Sequence, residues 1–412
     1  MRLIGCLVAL PALTLSACGG TSDASSTAVV RDSAGITIVE NAAPAWGEGE
    51  GFTSGGDPLV DIGMLDGPAE YQLFRAADAV RLSDGRIVIA NGGTSELRYY
   101  DESGVHIRSV GRQGAGPGEF QGISWIDVAG NDSLLAYDSQ LRRISLFDPS
   151  GTFVDSRTVQ SLTSEGAQNV VARFADGTFL LQGIVQLDPT NIRTGLHRFP
   201  SVLSRSVPGD SSGAAVDSLG VYPGMESMVI IGDNSIGIMR GGFMRRLELQ
   251  AGDSAFVAGT QNAYEVEVRP ISGAPRMLIR WNGGDLALTP DVISRYREQQ
   301  LERATDRDER AATQRRLDEM TYPDAIPAYG SLILDALGNI WVQEFQRDDE
   351  TENRWNVFDP NGRMLGGVVL PQGLKVYQIG EDFVLGQWTD DLDVEHVRAH
   401  RLVRGEGLRV TG

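Results

Sequence analysis

Two five-residue segments 49 positions apart, Gly67-Pro68-Ala69-Glu70-Tyr71 and Gly116-Pro117-Gly118-Glu119-Phe120, each open a similar run of chain. The first run is AADAVRLSDGRIVIAN…ELRYYDESGVHIRSVG and the second GISWIDVAGNDSLLAYD…RRISLFDPSGTFVDSRTV. Both read as strand, turn, strand, loop, strand, turn, strand. An aromatic-Asp-x-x-Gly turn recurs at Tyr100–Gly104, Phe147–Gly151 and Phe358–Gly362. A unit with a period in the forties and four short strands cannot bury its own face, so neighbouring units must cover it.

Six such units fit the chain. The turn between first and second strands falls near Gly85, Gly130, Gly177, Gly252, Gly338 and Gly380. The turn between third and fourth strands falls near Gly104, Gly151, Gly213, Gly273 and Gly362. Second strands such as IVIA at 87–90 and FVLG at 383–386 are apolar runs suited to burial on both faces. The sixth unit has three strands before the chain ends, and DPLVDIG at 57–63 is placed to supply the fourth. ITIVEN at 36–41 finds no partner in this scheme. The predicted fold is all-β: a six-bladed β-propeller of four-stranded blades over 57–405, with a tail at 406–412.

GRQGAGPGEF and its strands resemble an NHL-type repeat, and the body resembles bacterial six-bladed β-propeller lipoproteins. The resemblance implies that the glycine-rich loop links the outer strand of one blade to the inner strand of the next. Its glycines then serve a tight backbone path. A phosphate loop is excluded: residues 111–120 contain neither G-x-G-x-x-G nor G-K-[ST], and no helix follows. Gly122 and Ile123 stand where NHL repeats usually carry a proline, so no single NHL protein's activity is carried over.

The chain opens MRLIGCLVALPALTLSACGG, which reads as a secretory signal over 1–17. Leu15-Ser16-Ala17-Cys18 resembles a bacterial lipobox, which implies acylation of Cys18 and a cell-envelope location, outer-membrane or periplasm-facing. Residues 18–56 are then the lipidated N-terminus and a tether, small and polar over 19–34. Cys6 is the only other cysteine, so the mature body has no disulfide. The net charge of −19 and a single lysine, Lys375, argue against nucleic acid and anionic lipid headgroups as partners.

Between the fourth and fifth units, about 289–327, the pattern predicts a solvated helical insertion. Thr289 is its N-cap, Pro290 its first position, and Asp306–Arg310 a pair four apart. His106, His197, His396 and His400 read as surface histidines. Asp348-Asp349-Glu350 and Asp390-Asp391-Leu392-Asp393 read as solvated acidic turns. No G-x-S-x-G or H-E-x-x-H is present, and neither a cofactor nor a metal is expected.

Propeller ligands meet the starts of the inner strands. The strand phasing puts Arg75, Ser124, Asn169, Arg245, Tyr329 and Lys375 there. These residues favour a binding or protein-interaction scaffold, with an anionic small molecule or peptide end as ligand. Glu119 or Glu226 could instead neutralise the cations as ion pairs. The alternative is a lactonase- or lyase-like propeller enzyme with a metal in the channel. The expected partners are a membrane, through the lipid anchor, and an unknown protein or small anionic ligand.

Overall fold

Each aromatic-Asp-x-x-Gly turn is built by its aspartate. Asp101 Oδ1 accepts the N–H groups of Ser103 and Val105, at 2.9 Å each, and Gly104 takes φ +87°. Asp148 and Asp359 repeat this bond pattern, with Gly151 at φ +83° and Gly362 at φ +81°. Only glycine takes that backbone without strain, so the motif fixes where each third strand turns into the fourth.

The structure, a computed structural model, describes residues 27–47, 49–159, 168–184, 192–206, 216–232, 235–273, 276–347 and 351–405. The signal at 1–17, Cys18, Gly213, the acidic turn at 348–350 and the tail at 406–412 lie outside these residues. Among the described residues there are six antiparallel blades. Their inner strands are Ala76–Arg81, Ile123–Ala129, Gln168–Arg173, Glu248–Ala251, Leu332–Leu334 and Lys375–Ile379. All six expected turns between first and second strands fall where the sequence places them. An apolar cluster fills each of the six blade interfaces. Ile87 and Ile89 of blade one meet Leu385 and Val397 of blade six in the interface that closes the ring. The fold is a six-bladed β-propeller.

The N-terminal strand closes the last blade, but not alone. β4 (Val60–Ile62) pairs with the third strand of blade six through Ile62↔Val397 and Ala399↔Val60. β3 (Phe52–Ser54) pairs farther along the same strand, through Leu402↔Ser54. Residues 27–56, expected as part of a tether, are therefore largely structured. β1 (Ala28–Ser33) and β2 (Ile36–Asn41) form a hairpin, and β2 lies parallel to the outer strand of blade four, Arg276–Trp281. ITIVEN thus covers an edge that would otherwise be open. Between these strands Ala45 and Trp46 donate to the carbonyls of Met364 and Leu365 on blade five. The segment is a belt across the outer edges of blades four, five and six. It holds by apolar burial: Ile38 and Val39 are buried, and Phe52 stacks on Trp341 at 5.5 Å.

The insertion is two helices rather than one. α1 spans Pro290–Glu302, capped by Thr289, which accepts from the Val292 N–H. α2 spans Arg307–Glu319. Asp306, expected to pair with Arg310 within a helix, instead caps α2 by accepting from Asp308 and Glu309 at 2.8 Å each. Glu309 accepts the Thr305 N–H in return, a reciprocal cap that starts a new helix. Tyr296 and Leu317 pack with Phe243 and Ile326 in a small cluster, so the insertion is docked on the propeller.

Candidate functional site in the central channel

The six inner strands surround a cavity of about 580 Å³. Every blade gives it at least one polar side chain, among them Asp78, Asp127, Arg173, Glu248, Ser331 and Lys375. A β-bulge sits near the start of four inner strands, at Ala77, Ser124, Val171 and Tyr377. A bulge inserts one residue and re-aims those around it, so the cavity lining is not the strand alternation read from the sequence.

Side chains stitch this wall from blade to blade. Asp78 Oδ2 accepts the Ile126 N–H at 3.0 Å, and Arg173 pairs with Asp127 at 3.0 Å. Arg246 pairs with Glu248 and donates to Ser331 Oγ. Gln378 Oε1 accepts the Arg81 N–H at 2.7 Å, and Tyr377 OH donates to the Ala76 carbonyl. Burial pushes the Asp78 carboxyl up to about 7, against the pull of two backbone N–H groups and Lys375. Burial also raises Asp127, and outweighs its bond to Arg173. Near neutral pH, then, Asp78 is half-protonated, while Asp127 and Glu248 each have an arginine partner. Lys375 differs. Its side chain is exposed, its Nζ stands 5.1 Å from the Tyr377 ring centroid, and no carboxylate lies within ion-pair distance among the described residues.

Of the six residues phased to the strand starts, only Lys375 lines this cavity. Arg75 is exposed at φ +54° and stacks on Phe74 at 5.2 Å. Ser124 is the bulge residue itself, its hydroxyl 3.4 Å from the Tyr137 carbonyl. The Asn169 Oδ1 accepts from Tyr137 OH. Arg245 is committed to Glu226, with contacts at 2.6 and 3.1 Å. Burial alone would raise Glu226, but its bonds and ion pair with Arg245 hold the carboxyl below the ordinary range. Tyr329 is 1% exposed between blades four and five, donating to the Glu265 carbonyl. Sequence phasing missed Asp78, Asp127, Arg173 and Glu248; only Asp78 and Asp127 carry a signal, a carboxylate in the middle of a mainly apolar strand.

The glycine-rich loop is structural. Arg143 donates to the carbonyls of Ala115, Gly116 and Glu119, and Glu119 accepts the Gly116 N–H and pairs with Arg112. One histidine differs from expectation. His400 is buried, and burial lowers its pKa. His396 Nδ1 lies 2.7 Å from Asp61 Oδ1 at the ring closure. Both lie on the strand that β4 pairs with, where His400 is buried and His396 stays partly exposed. Among the described residues no group of three or more His, Cys, Asp or Glu is placed to hold a metal ion.

Residues 69–171 match the model of a family described as a 6-bladed beta-propeller. No curated protein matches the chain. Similar solved structures include a candidate exported protein from Bacteroides fragilis, 12% identical, at a TM-score of 0.47. That match covers 89% of this chain and 99% of the other. A protein from Bacteroides vulgatus is 8% identical at 0.44, with 86% and 99% covered. Virginiamycin B lyase from Staphylococcus aureus is 7% identical at 0.40, with 85% and 99% covered.

Proposed function

We propose that the protein is an envelope-anchored binding propeller that takes a small anionic molecule or peptide end in its central cavity. The observation that carries this reading is Lys375, an exposed ammonium in the cavity wall that acts on Asp78 through space but has no carboxylate within ion-pair distance among the described residues. Cavities of this size suit small ligands, commonly about 300–1,000 Å³. The wall does not repel an anion as its three acids suggest. Two of them are offset by arginines, and the third holds a proton up to near neutrality. Cys18 is the anchor.

The test is a thermal-shift screen of carboxylates, sulfate esters and neutral analogues against wild type and Lys375→Ala. Anions should raise the wild-type Tm, and the variant should lose that response. Identical shifts in both proteins, or no preference for anions, overturn the reading. One observation favours a second reading, a hydrolytic propeller: a cavity carboxyl that titrates near 7 suits general acid–base work. Turnover of a lactone panel by wild type but not by Asp78→Asn would support it.

A further inference from the structure

The face that carries the channel mouth is also the face from which the N-terminus emerges. Ala28 pairs with Asn41, and Asn41 pairs with Trp281, the last residue of blade four's outer strand. From Trp281 the chain passes through the two-helix insertion, which therefore lies on this same face beside the tether, to the inner strand of blade five, and inner strands start at the mouth. β1 therefore begins at the mouth-side rim of blade four. Ala28 lies ten positions after Cys18, a fully extended reach of about 35 Å.

Across the ring, where blades six and one meet, the same face carries a cluster of exposed apolar side chains. Leu65 and Phe74, on the connector into blade one, are each 58% exposed, and Leu392, on a blade-six loop, is 69% exposed. They surround a groove of about 390 Å³ that Leu73 also lines. Taking such side chains out of water is favourable in proportion to the apolar area buried. Blade one is opposite blade four in a six-bladed ring, so the tether and this cluster sit at opposite ends of one diameter.

We infer that the channel-mouth face rests on the lipid bilayer, held at blade four by the acylated Cys18 and at the opposite rim by Leu65, Phe74 and Leu392. The inference rests on the reading of Cys18 as the anchor. A single tether would let the body swing. A second, apolar contact on the far side turns the mouth toward the membrane. Arg75, stacked on Phe74, is placed to meet a lipid phosphate while its stem lies against the ring. Asp66, Asp391 and Asp393 on the same loops favour a zwitterionic surface over an anionic one.

The experiment uses the full lipidated chain on phosphatidylcholine vesicles that contain a headgroup-nitroxide lipid. A fluorophore is placed on one of two new cysteines. Asp391→Cys lies on a mouth-side loop, and Glu102→Cys lies in the Asp101–Gly104 turn on the opposite face. The label at 391 should lose its fluorescence and the label at 102 should keep it. Leu65→Ser/Phe74→Ser/Leu392→Ser should restore the signal at 391 while the protein still floats with the vesicles. Equal quenching at both positions, or at 102 alone, overturns the orientation. An unquenched 391 on floating protein also overturns it and leaves the groove to a protein partner. Quenching that survives the triple substitution overturns the role of the apolar rim. Failure to float means that the anchor reading is wrong, and the orientation falls with it.

Discussion

Arg98 is 3% exposed, yet it is a charged residue in a blade's third strand. Its guanidinium collects the carbonyls of Ala69, Glu70 and Gln72 at 3.0, 3.1 and 2.9 Å. Arg143 does the same for the second copy of the loop, so the repeat includes the arginine that holds it as well as the glycines that bend it. Arg98→Met keeps the apolar stem but strands these acceptors. It should cost about 3 kcal/mol in urea unfolding, with the slope against denaturant unchanged. Asp78 makes a prediction of the opposite sense. Its folded carboxyl titrates at about 7, above the unfolded value, so the folded state holds a proton that the unfolded chain has released. Stability from this group is present at low pH and is lost as pH rises from the ordinary carboxylate range through about 7. Asp78→Asn removes that titration. From about pH 5 to about pH 8 the wild type should lose urea-midpoint stability relative to the variant. A constant difference between the two would show that Asp78 does not titrate in this range.

At the scale of the element, the belt from β1 to β4 separates sheathing from closure. Deleting residues 19–56 removes the hairpin on blade four and the stacked Phe52, but leaves β4 to complete blade six. Deleting 19–66 removes β4 as well. It strips Ile62, which is fully buried between blades six and one, and opens the ring. Tm should fall at each step, with the larger drop at the second. Equal stability of the two truncations would show that β4 closes nothing. The sequence alone makes the first deletion look harmless, because ITIVEN has no neighbour within its own unit. Besides the hairpin with β1, its partner is the strand at 276–281, and a pairing across 240 positions leaves no local periodicity to read. The turns were legible for the converse reason: Asp101, Asp148 and Asp359 act on N–H groups two and four residues away. The channel wall was legible in kind but not in register. Four phased positions lie within one residue of an inner-strand start and Arg245 and Tyr329 lie three residues before theirs, while the bulges at Ser124 and Tyr377 shift the residues that follow. Arg245 and Tyr329 were already committed to Glu226 and the Glu265 carbonyl.

For the whole molecule, closure pairs Ile62 with Val397, so no ring exists until the C-terminal blade has folded. Long-range pairing of this kind makes folding slow. On the proposed reading, an acylated Cys18 is what keeps it at the envelope. Among the described residues no helix is long and apolar enough to cross a membrane. The rim of Leu65, Phe74 and Leu392 offers a gross gain of about 6 kcal/mol if fully buried in lipid. Lost freedom on association takes back about 4 kcal/mol or more, so the rim alone holds weakly. An acyl anchor of two or more chains holds firmly, and the rim then sets orientation rather than attachment. Cys18→Ala should therefore move the protein from the floating membrane fraction to the soluble one. Leu65→Ser/Phe74→Ser/Leu392→Ser in the lipidated chain should leave it floating. If Cys18→Ala still floats with the membranes, the acyl anchor is not what holds the propeller there.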